Sequence, residues 1–212
     1  MIIRQLQVGP EKVFCYILGC EKTRKAVVID PGGEEEKILA LIQELRLDPL
    51  YIINTHMHPD HTCGNAKLKR ETGAAIVMHE KDHAFLQDKK NSEYFMRMGP
   101  LSPAPDILVK DGSVLAFGEY SLQVIHTPGH TPGGICLLVD GNLFTGDSVF
   151  VGAAGRVDLP GGDFHTLSAS LEKKIATLPD DTVIWPGHDY GDTVTSTVGR
   201  EKKENPFLGG EW

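Results

Sequence analysis

Three histidines and an aspartate lie within six consecutive positions, His56–His61, of the segment NTHMHPDH. The apolar run before them, Tyr51–Asn54, predicts a buried strand, and a helix is predicted to begin near Cys63. Side chains in such a strand-end turn can act chemically because the strand behind them is a rigid scaffold. We therefore expect this turn to carry a functional site.

Apolar patterning predicts strands and helices in a similar order in both halves of the chain. Predicted strands are Ile2–Val8, Val13–Leu18, Ala26–Ile29, Tyr51–Asn54, Ala75–Met78, Val114–Phe117, Ser121–His126, Ile135–Val139, Asn142–Thr145 and Thr182–Trp185. Predicted helices are Glu34–Arg46, Cys63–Thr72, Lys81–Asp88, His165–Leu178 and Val198–Pro206. We expect two β-rich halves packed sheet on sheet with helices outside, as one domain over residues 1–212. Lys89–Pro105, which holds three prolines, is expected to be an irregular loop and a candidate lid.

The charge balance disfavours two classes of partner. The chain has 21 basic and 29 acidic residues, so its net charge is 21 − 29 = −8, and binding to nucleic acid or to an anionic membrane is not expected. No segment approaches the length of a membrane span, and the first residues lack the pattern of a signal peptide. Four cysteines without a CxxC pair predict reduced thiols in a cytoplasmic protein. The oligomeric state is left open.

Five of the nine histidines and two aspartates fall in predicted strand-end turns. They are His56, His58, Asp60, His61, His130, Asp147 and His188. Imidazole nitrogens combined with carboxylates suit zinc, iron or manganese better than calcium or magnesium. Seven such groups exceed the four of a closed zinc site. Two metal ions about 3.5–4 Å apart that share one carboxylate would use all seven and leave room for a bridging water.

Five short motifs follow one another along the chain, namely DPGG at 30–33, HxHxDH at 56–61, GHTPG at 129–133, FTGD at 144–147 and PGHDYG at 186–191. The order of these motifs closely resembles the metallo-β-lactamase superfamily. The resemblance implies an α/β fold, the four-layer αββα sandwich. It also implies a first metal held by His56, His58 and His130, and a second held by Asp60, His61 and His188, with Asp147 bridging the two. Two divalent ions are expected, with zinc favoured and iron or manganese as alternatives.

Within the superfamily, the chain looks most like the short bacterial glyoxalase II type, the hydroxyacylglutathione hydrolases. The supporting stretches are Gly155–Asp163, His188–Gly191 and Arg200–Leu208. The resemblance implies a thioesterase that cleaves a small glutathione-linked thioester, with a metal-bridging hydroxide as nucleophile and Asp60 and Asp147 as catalytic residues. It implies glutathione contacts from Arg156, Tyr190, Arg200 and Lys203. Asp30 and Asp189 are candidates to orient the ligand histidines.

The same motifs resemble a second group of enzymes, the persulfide dioxygenases. For these the resemblance implies one iron, held by the residues that match His56, His130 and Asp147. His58 would then lie outside the metal site. Two further alternatives stay open at this point, another hydrolase of the superfamily such as a lactonase and a binding module that keeps the fold without catalysis.

Overall fold

The computed structural model describes residues 1–208 and contains two six-stranded β-sheets. The first sheet holds β1 (Ile2–Val8), β2 (Val13–Gly19), β3 (Lys25–Ile29), β4 (Asp48–Ile53), β5 (Ala75–His79) and β6 (Ile107–Val109), in this spatial order. The second holds β7 (Val114–Phe117), β8 (Tyr120–His126), β9 (Ile135–Val139), β10 (Asn142–Gly146), β13 (Val183–Pro186) and β14 (Ser196–Thr197), in the order 14-13-10-9-8-7. A separate ribbon consists of β11 (Val149–Phe150) and β12 (Ala153–Ala154).

The helices lie in the connections between strands, except for the last one, which follows β14. They are α1 (Glu35–Glu44), α2 (Pro59–Thr62), α3 (Asn65–Thr72), α4 (Glu80–Gln87), α5 (Lys89–Met96), α6 (Phe164–Ser170) and α7 (Val198–Glu204), and a π-helical turn, Leu171–Ile175, continues α6. Among residues 1–208, no helix combines the length and the apolar character that a membrane span requires.

Three hydrophobic clusters show how the layers pack. The central cluster joins inward-facing residues of both sheets, such as Tyr16 of β2 and Phe144 of β10. A second cluster packs the outer face of the first sheet on α1 and α3, and includes Ile38 and Leu68. A third packs the second sheet on the outer helices around Leu171. The order of layers is therefore helix, sheet, sheet, helix, which confirms the predicted αββα sandwich.

Parallel strands bring the predicted ligand residues of both sheets to one edge of the sandwich. In the first sheet, β4 runs parallel to β3 and β5 and leads directly into the turn at His56. In the second sheet, β10 and β13 are parallel and end just before Asp147 and His188. Since the carboxyl ends of parallel strands meet at the same edge of a sheet, residues distant in sequence converge there.

A glycine permits the close approach of these two edges. Gly146, the last residue of β10, has φ +48°, and a Cβ atom at this position would lie only 2.2 Å from Thr55 Oγ1. A side chain here would collide with the turn that follows β4. The residue before Asp147 must therefore be small for the two sheets to share one site.

The expectation of an irregular segment over Lys89–Pro105 is wrong for its first half. Helix α5 occupies Lys89–Met96, and the Asp88 side chain caps it by accepting hydrogen bonds from Lys90 N and Asn91 N. This helix is mostly polar and only Phe95 is fully buried, so its sequence does not show the apolar repeat that is typical of a helix. The short strands β6, β11, β12 and β14 were not predicted either, because two or three residues are too few to show an alternating pattern.

Candidate metal centre

Three buried imidazoles form the first group of potential ligands. His56 and His58 lie in the turn after β4, and His130 lies in the turn between β8 and β9. His58 Nδ1 is 3.0 Å from His130 Nε2, and the ring centroid of His56 is 4.7 Å from those of both other histidines. One nitrogen from each of the three falls within a common 4.8 Å. The structure thus brings together the three residues predicted for the first metal.

The second group combines a carboxylate with two imidazoles. Asp60 and His61 lie on α2, and His188 follows β13. His61 Nε2 lies 3.3 Å from His188 Nε2 and 3.5 Å from Asp60 Oδ2, and His188 Nε2 lies 3.7 Å from the same oxygen. These are the three residues predicted for the second metal.

Asp147 lies between the two groups. Its Oδ1 is 3.4 Å from His61 Nε2, and its Oδ2 is 3.7 Å from His130 Nε2 and 3.6 Å from His188 Nε2. One carboxylate therefore reaches nitrogens of both groups. This is the position expected of a bridging ligand.

Backbone carbonyls orient two of the histidines from outside. His130 Nδ1 donates to the carbonyl oxygen of Arg156 at 2.6 Å, and His188 Nδ1 donates to that of Glu11 at 3.2 Å. With the proton held on Nδ1, each ring turns the lone pair of Nε2 toward the centre. The Asp189 side chain, by contrast, accepts from Gln7 rather than from a ligand histidine.

Asp30 orients the outer nitrogens of His61 and, through Thr55, of His56. Its Oδ2 accepts from the Thr55 hydroxyl at 2.6 Å and lies 3.0 Å from His61 Nδ1. Thr55 Oγ1 in turn lies 3.1 Å from His56 Nδ1. Asp30, His56 and His61 could themselves be taken for a third ligand group. The hydrogen bonds instead indicate that Asp30 holds the outer nitrogens of these two histidines. Asp30 is one of the two residues, with Asp189, that were predicted to orient the ligand histidines.

The electrostatics of the centre favour a positive charge near His61. Burial opposes protonation of this ring, but the carboxylates of Asp147, Asp60 and Asp30 outweigh it and raise the pKa of His61 to about 10. For His56 the balance is the reverse, because burial and the neighbouring imidazoles lower its pKa well below the usual value. Three carboxylates thus surround one end of the centre, while neutral nitrogens surround the other.

The donor atoms of the two ligand groups are suited to binding a metal ion. Among the described residues, His56 Nε2 and Asp147 Oδ1 are buried atoms without a hydrogen-bond partner. Leaving such atoms unpaired is costly unless a cation or a water satisfies them. Nitrogen and carboxylate donors in these numbers suit zinc, iron and manganese.

A cavity of about 170 Å³ opens onto the centre. Predicted substrate contacts Arg156 and Tyr190 both line it, and the Tyr190 ring stacks on that of His188 with centroids 5.0 Å apart. The Arg156 guanidinium makes two hydrogen bonds of 2.7 Å to the carboxylate of Asp158. The cavity thus combines the metal-ligand cluster with one cation and one phenol at its rim.

Two predicted substrate contacts do not reach this cavity. Arg200 and Lys203 both lie on α7, where the Arg200 guanidinium is bound by Asp192 and Glu204. Three lining residues escaped the sequence analysis, namely Glu11, Met98 and Leu159. Leu159 lies inside the stretch Gly155–Asp163 that carried the resemblance. Met98 lies inside Lys89–Pro105, the segment that was expected to be a candidate lid, whereas Glu11 lies in a turn without a motif and gave no signal.

An αββα sandwich with two ligand groups at one edge defines a class of metal-dependent enzymes. The family comparison is consistent with this class, since residues 8–188 match the profile of the metallo-β-lactamase superfamily. The chain belongs to this superfamily and is a metal-dependent enzyme.

Two named relatives with different activities are about equally similar to the chain. It is 36% identical to the hydroxyacylglutathione hydrolase GloC of Haemophilus influenzae, over 87% of this chain and 88% of that protein. It is 34% identical to the human mitochondrial persulfide dioxygenase ETHE1, over 98% of this chain and 76% of that protein. A crystal structure of TTHA1623 in a di-iron-bound form matches with a TM-score of 0.82 at 35% identity, over 97% of this chain and all of that one.

Proposed function

We propose that this protein is a metal-dependent hydrolase that cleaves S-2-hydroxyacylglutathione thioesters. The observation that carries the proposal is the position of His58, whose Nδ1 lies 3.0 Å from His130 Nε2. A three-histidine group for a first metal needs His58, whereas the single-iron arrangement implied by the dioxygenase resemblance does not. The intact second group and the position of Asp147 between the groups support two metals, as does the structural relative solved with two irons.

Two groups of residues would each bind one metal ion. His56, His58 and His130 would hold the first, Asp60, His61 and His188 the second, and Asp147 would contact both. When bound, two divalent ions, with zinc favoured and iron or manganese as alternatives, would polarise a carbonyl oxygen and make water a competent nucleophile at neutral pH.

Asp60 is the residue best placed to orient the attacking water. Its neighbours His61 and His188 lower its pKa well below the usual value, although burial opposes this shift. The carboxylate is therefore ionised at neutral pH, and its side chain keeps 26% of its surface exposed at the cavity. An ionised, partly exposed carboxylate can accept a hydrogen bond from a water and hold it toward a substrate carbonyl.

The leaving group and the rim of the cavity are consistent with a glutathione thioester. A thiol with an ordinary pKa of about 8.5 departs as a thiolate without a strong general acid. Arg156 and Tyr190 offer a cation and a phenol to the carboxylates and amides of glutathione. Met98 and Leu159 offer apolar surface to the rest of the substrate.

The persulfide dioxygenase activity is the second candidate function. The 34% identity to human ETHE1 over nearly the whole chain favours it. His130 Nε2 and Asp147 Oδ2, which that function would assign to one iron, lie 3.7 Å apart. Under this alternative the chain would oxidise glutathione persulfide with molecular oxygen rather than hydrolyse a thioester.

Metal content and two assays on the same preparation separate these functions. We expect about two metal ions per chain and hydrolysis of S-lactoylglutathione, with no oxygen uptake on glutathione persulfide. His58→Ala should abolish hydrolysis and lower the metal content, while His165→Ala, at an exposed position on α6, should change neither. One iron per chain together with oxygen uptake that persists in His58→Ala would replace the hydrolase proposal by the dioxygenase.

We also propose that the protein acts on this small molecule in the cytoplasm, and not on nucleic acid or membrane. All four cysteines, Cys15, Cys20, Cys63 and Cys136, are free thiols in the structure, which is typical of a reducing compartment. The net charge of −8 disfavours polyanionic partners.

A further inference from the structure

A buried carboxylate outside the metal centre connects two of the turns that carry ligands. Asp82 lies on α4 and has no exposed surface. Its Oδ2 accepts hydrogen bonds from Met57 N and from the Thr131 hydroxyl, both at 2.9 Å, and its Oδ1 accepts from Gly133 N at 2.5 Å. The carboxylate thus contacts the turn after β4 and the turn after β8 at the same time.

Both contacts fall directly beside ligands of the first group. Met57 lies between His56 and His58, and Thr131 follows His130. These two turns come from different sheets and are separated by about seventy residues of chain. Since the first group takes two ligands from one turn and one from the other, its geometry depends on how the turns are placed relative to each other.

The fit of Asp82 between the turns is close. A Cβ atom at Gly133 would lie 2.5 Å from Asp82 N and 2.7 Å from Asp82 Oδ1, so only glycine allows this approach. Burial raises the pKa of Asp82 to about 7, although its three donors oppose that shift. A buried carboxyl is a costly group to place in a core, which indicates a role beyond packing.

The second group of ligands is oriented by other residues. Asp30 contacts His61, and the carbonyl of Glu11 accepts from His188. The hydrogen bonds of Asp82 end instead on the two turns of the first group. A change at Asp82 should therefore act on one metal position and not on the other.

We propose that Asp82 is a positioning residue that sets the spacing of His56, His58 and His130, and through it the affinity of the first metal position. Its hydrogen bonds go to Met57, Thr131 and Gly133, none of which is a predicted metal ligand. The proposal rests on metal binding by the centre described above and is independent of which reaction the enzyme performs.

The test measures zinc affinity by chelator competition in two backgrounds that each keep one ligand group. His188→Ala keeps the first group intact, and His58→Ala keeps the second. We expect Asp82→Asn to weaken zinc binding about ten- to hundred-fold in the His188→Ala background, and by less than threefold in the His58→Ala background. Asn retains the shape of Asp, but its amide nitrogen cannot accept from the donors around it.

A control removes an exposed carboxylate that accepts a backbone hydrogen bond elsewhere in the first sheet. Asp106 accepts from Ile76 N at 2.8 Å and binds Lys69, far from the ligand turns, so Asp106→Asn should leave zinc affinity unchanged in both backgrounds. If Asp82→Asn does not fold, Thr131→Val removes one of the three hydrogen bonds and should give a smaller loss with the same selectivity. Equal losses at both positions, or no loss at either, would overturn the proposal.

This outcome is separable from that of the proposed hydrolase. A wild-type protein that binds zinc at both positions but does not cleave S-lactoylglutathione would refute the hydrolase function and leave the role of Asp82 testable by affinity alone. A selective loss of affinity in Asp82→Asn would support its positioning role in either case.

Discussion

Gly146 Cα faces Thr55 so closely that a single added methyl group would come within 2.2 Å of the threonine hydroxyl oxygen. Thr55 in turn donates that hydroxyl to Asp30 and precedes His56. The contact therefore joins the strand end that carries Asp147 to the turn that carries the first ligands. At this contact, the Thr55 side chain, in the turn after β4 of the first sheet, packs directly on the backbone of Gly146 in the second sheet.

Replacing Gly146 should accordingly disrupt both the fold and the centre. Gly146→Ala adds the cost of a left-handed backbone conformation, roughly 1–2 kcal/mol, to an overpacking cost of about 1–3 kcal/mol. Urea unfolding of the metal-free protein should show both costs. Gly141→Ala is the matched control, because Gly141 has φ +73° but nothing within 4 Å of its added Cβ, so only the first cost applies. Equal losses in the two variants would contradict the close contact.

Asp147→Ala should lose metal and activity together. The carboxylate reaches nitrogens of both ligand groups, so its removal weakens both positions at once. Elemental analysis after gel filtration and a thioesterase assay on the same sample would test this. Asp180→Ala, which removes an exposed carboxylate paired with Lys202, should keep full metal content. Full activity in Asp147→Ala would discard the bridging role.

Arg156→Ala should raise KM for a glutathione thioester with little change in kcat. The guanidinium lines the rim of the cavity, away from the reacting carbonyl, and a lost charge-assisted hydrogen bond of about 1.5–3 kcal/mol corresponds to a rise of roughly tenfold or more. Steady-state kinetics would measure it. Arg200→Ala tests the other predicted contact. Because Arg200 is bound to Asp192 and Glu204 away from the cavity, we expect an unchanged KM.

Acid should destabilise the protein partly through His79. Burial, with the stacked ring of His126 next to it, lowers the pKa of His79 to about 4. The unfolded state, with a pKa near 6.5, then binds more protons than the folded state between these values. Stability due to this group is complete above about pH 6.5 and declines as the pH falls toward 4, by up to about 3 kcal/mol.

His79→Asn removes this titration while keeping a side chain that can cap α4, as His79 does by accepting from Lys81 N. The difference in unfolding free energy between wild type and variant, measured in urea from pH 7.5 to 4.5, should shift in favour of the variant as pH falls. A difference that stays constant over this range would show that His79 has the same pKa in the folded and unfolded states, and would contradict the lowered pKa.

The sequence was most informative where side-chain chemistry and strand ends coincide. The HxHxDH segment and the turns at His130, Asp147 and His188 predicted a cluster that the structure brings together, because metal-ligand chemistry restricts the residue types so strongly. The αββα layers also followed from the two sets of apolar strands and the amphipathic pattern of α1.

Features that depend on tertiary contact were not predictable. Helix α5 has a polar sequence, and only its packing of Phe95 beside His58, with ring centroids 5.0 Å apart, reveals why it forms. Arg200 lies in a stretch that resembles the short hydrolases, yet ion pairs with its neighbours hold it on α7. Asp82 has no motif around it, since its role arises from two turns that are distant in sequence.

The division of each ligand group between the two sheets has a consequence for how the enzyme matures. The first group draws two residues from the turn after β4 and the second draws two from α2, and each group takes one more from the second sheet, so neither position is complete on the first half of the chain. On a ribosome, the nascent chain cannot assemble the first position before His130 has emerged, nor the second before His188. Under the two-metal proposal, loading with ions is therefore a late step of biogenesis, and the bound ions then link the two halves of the sandwich.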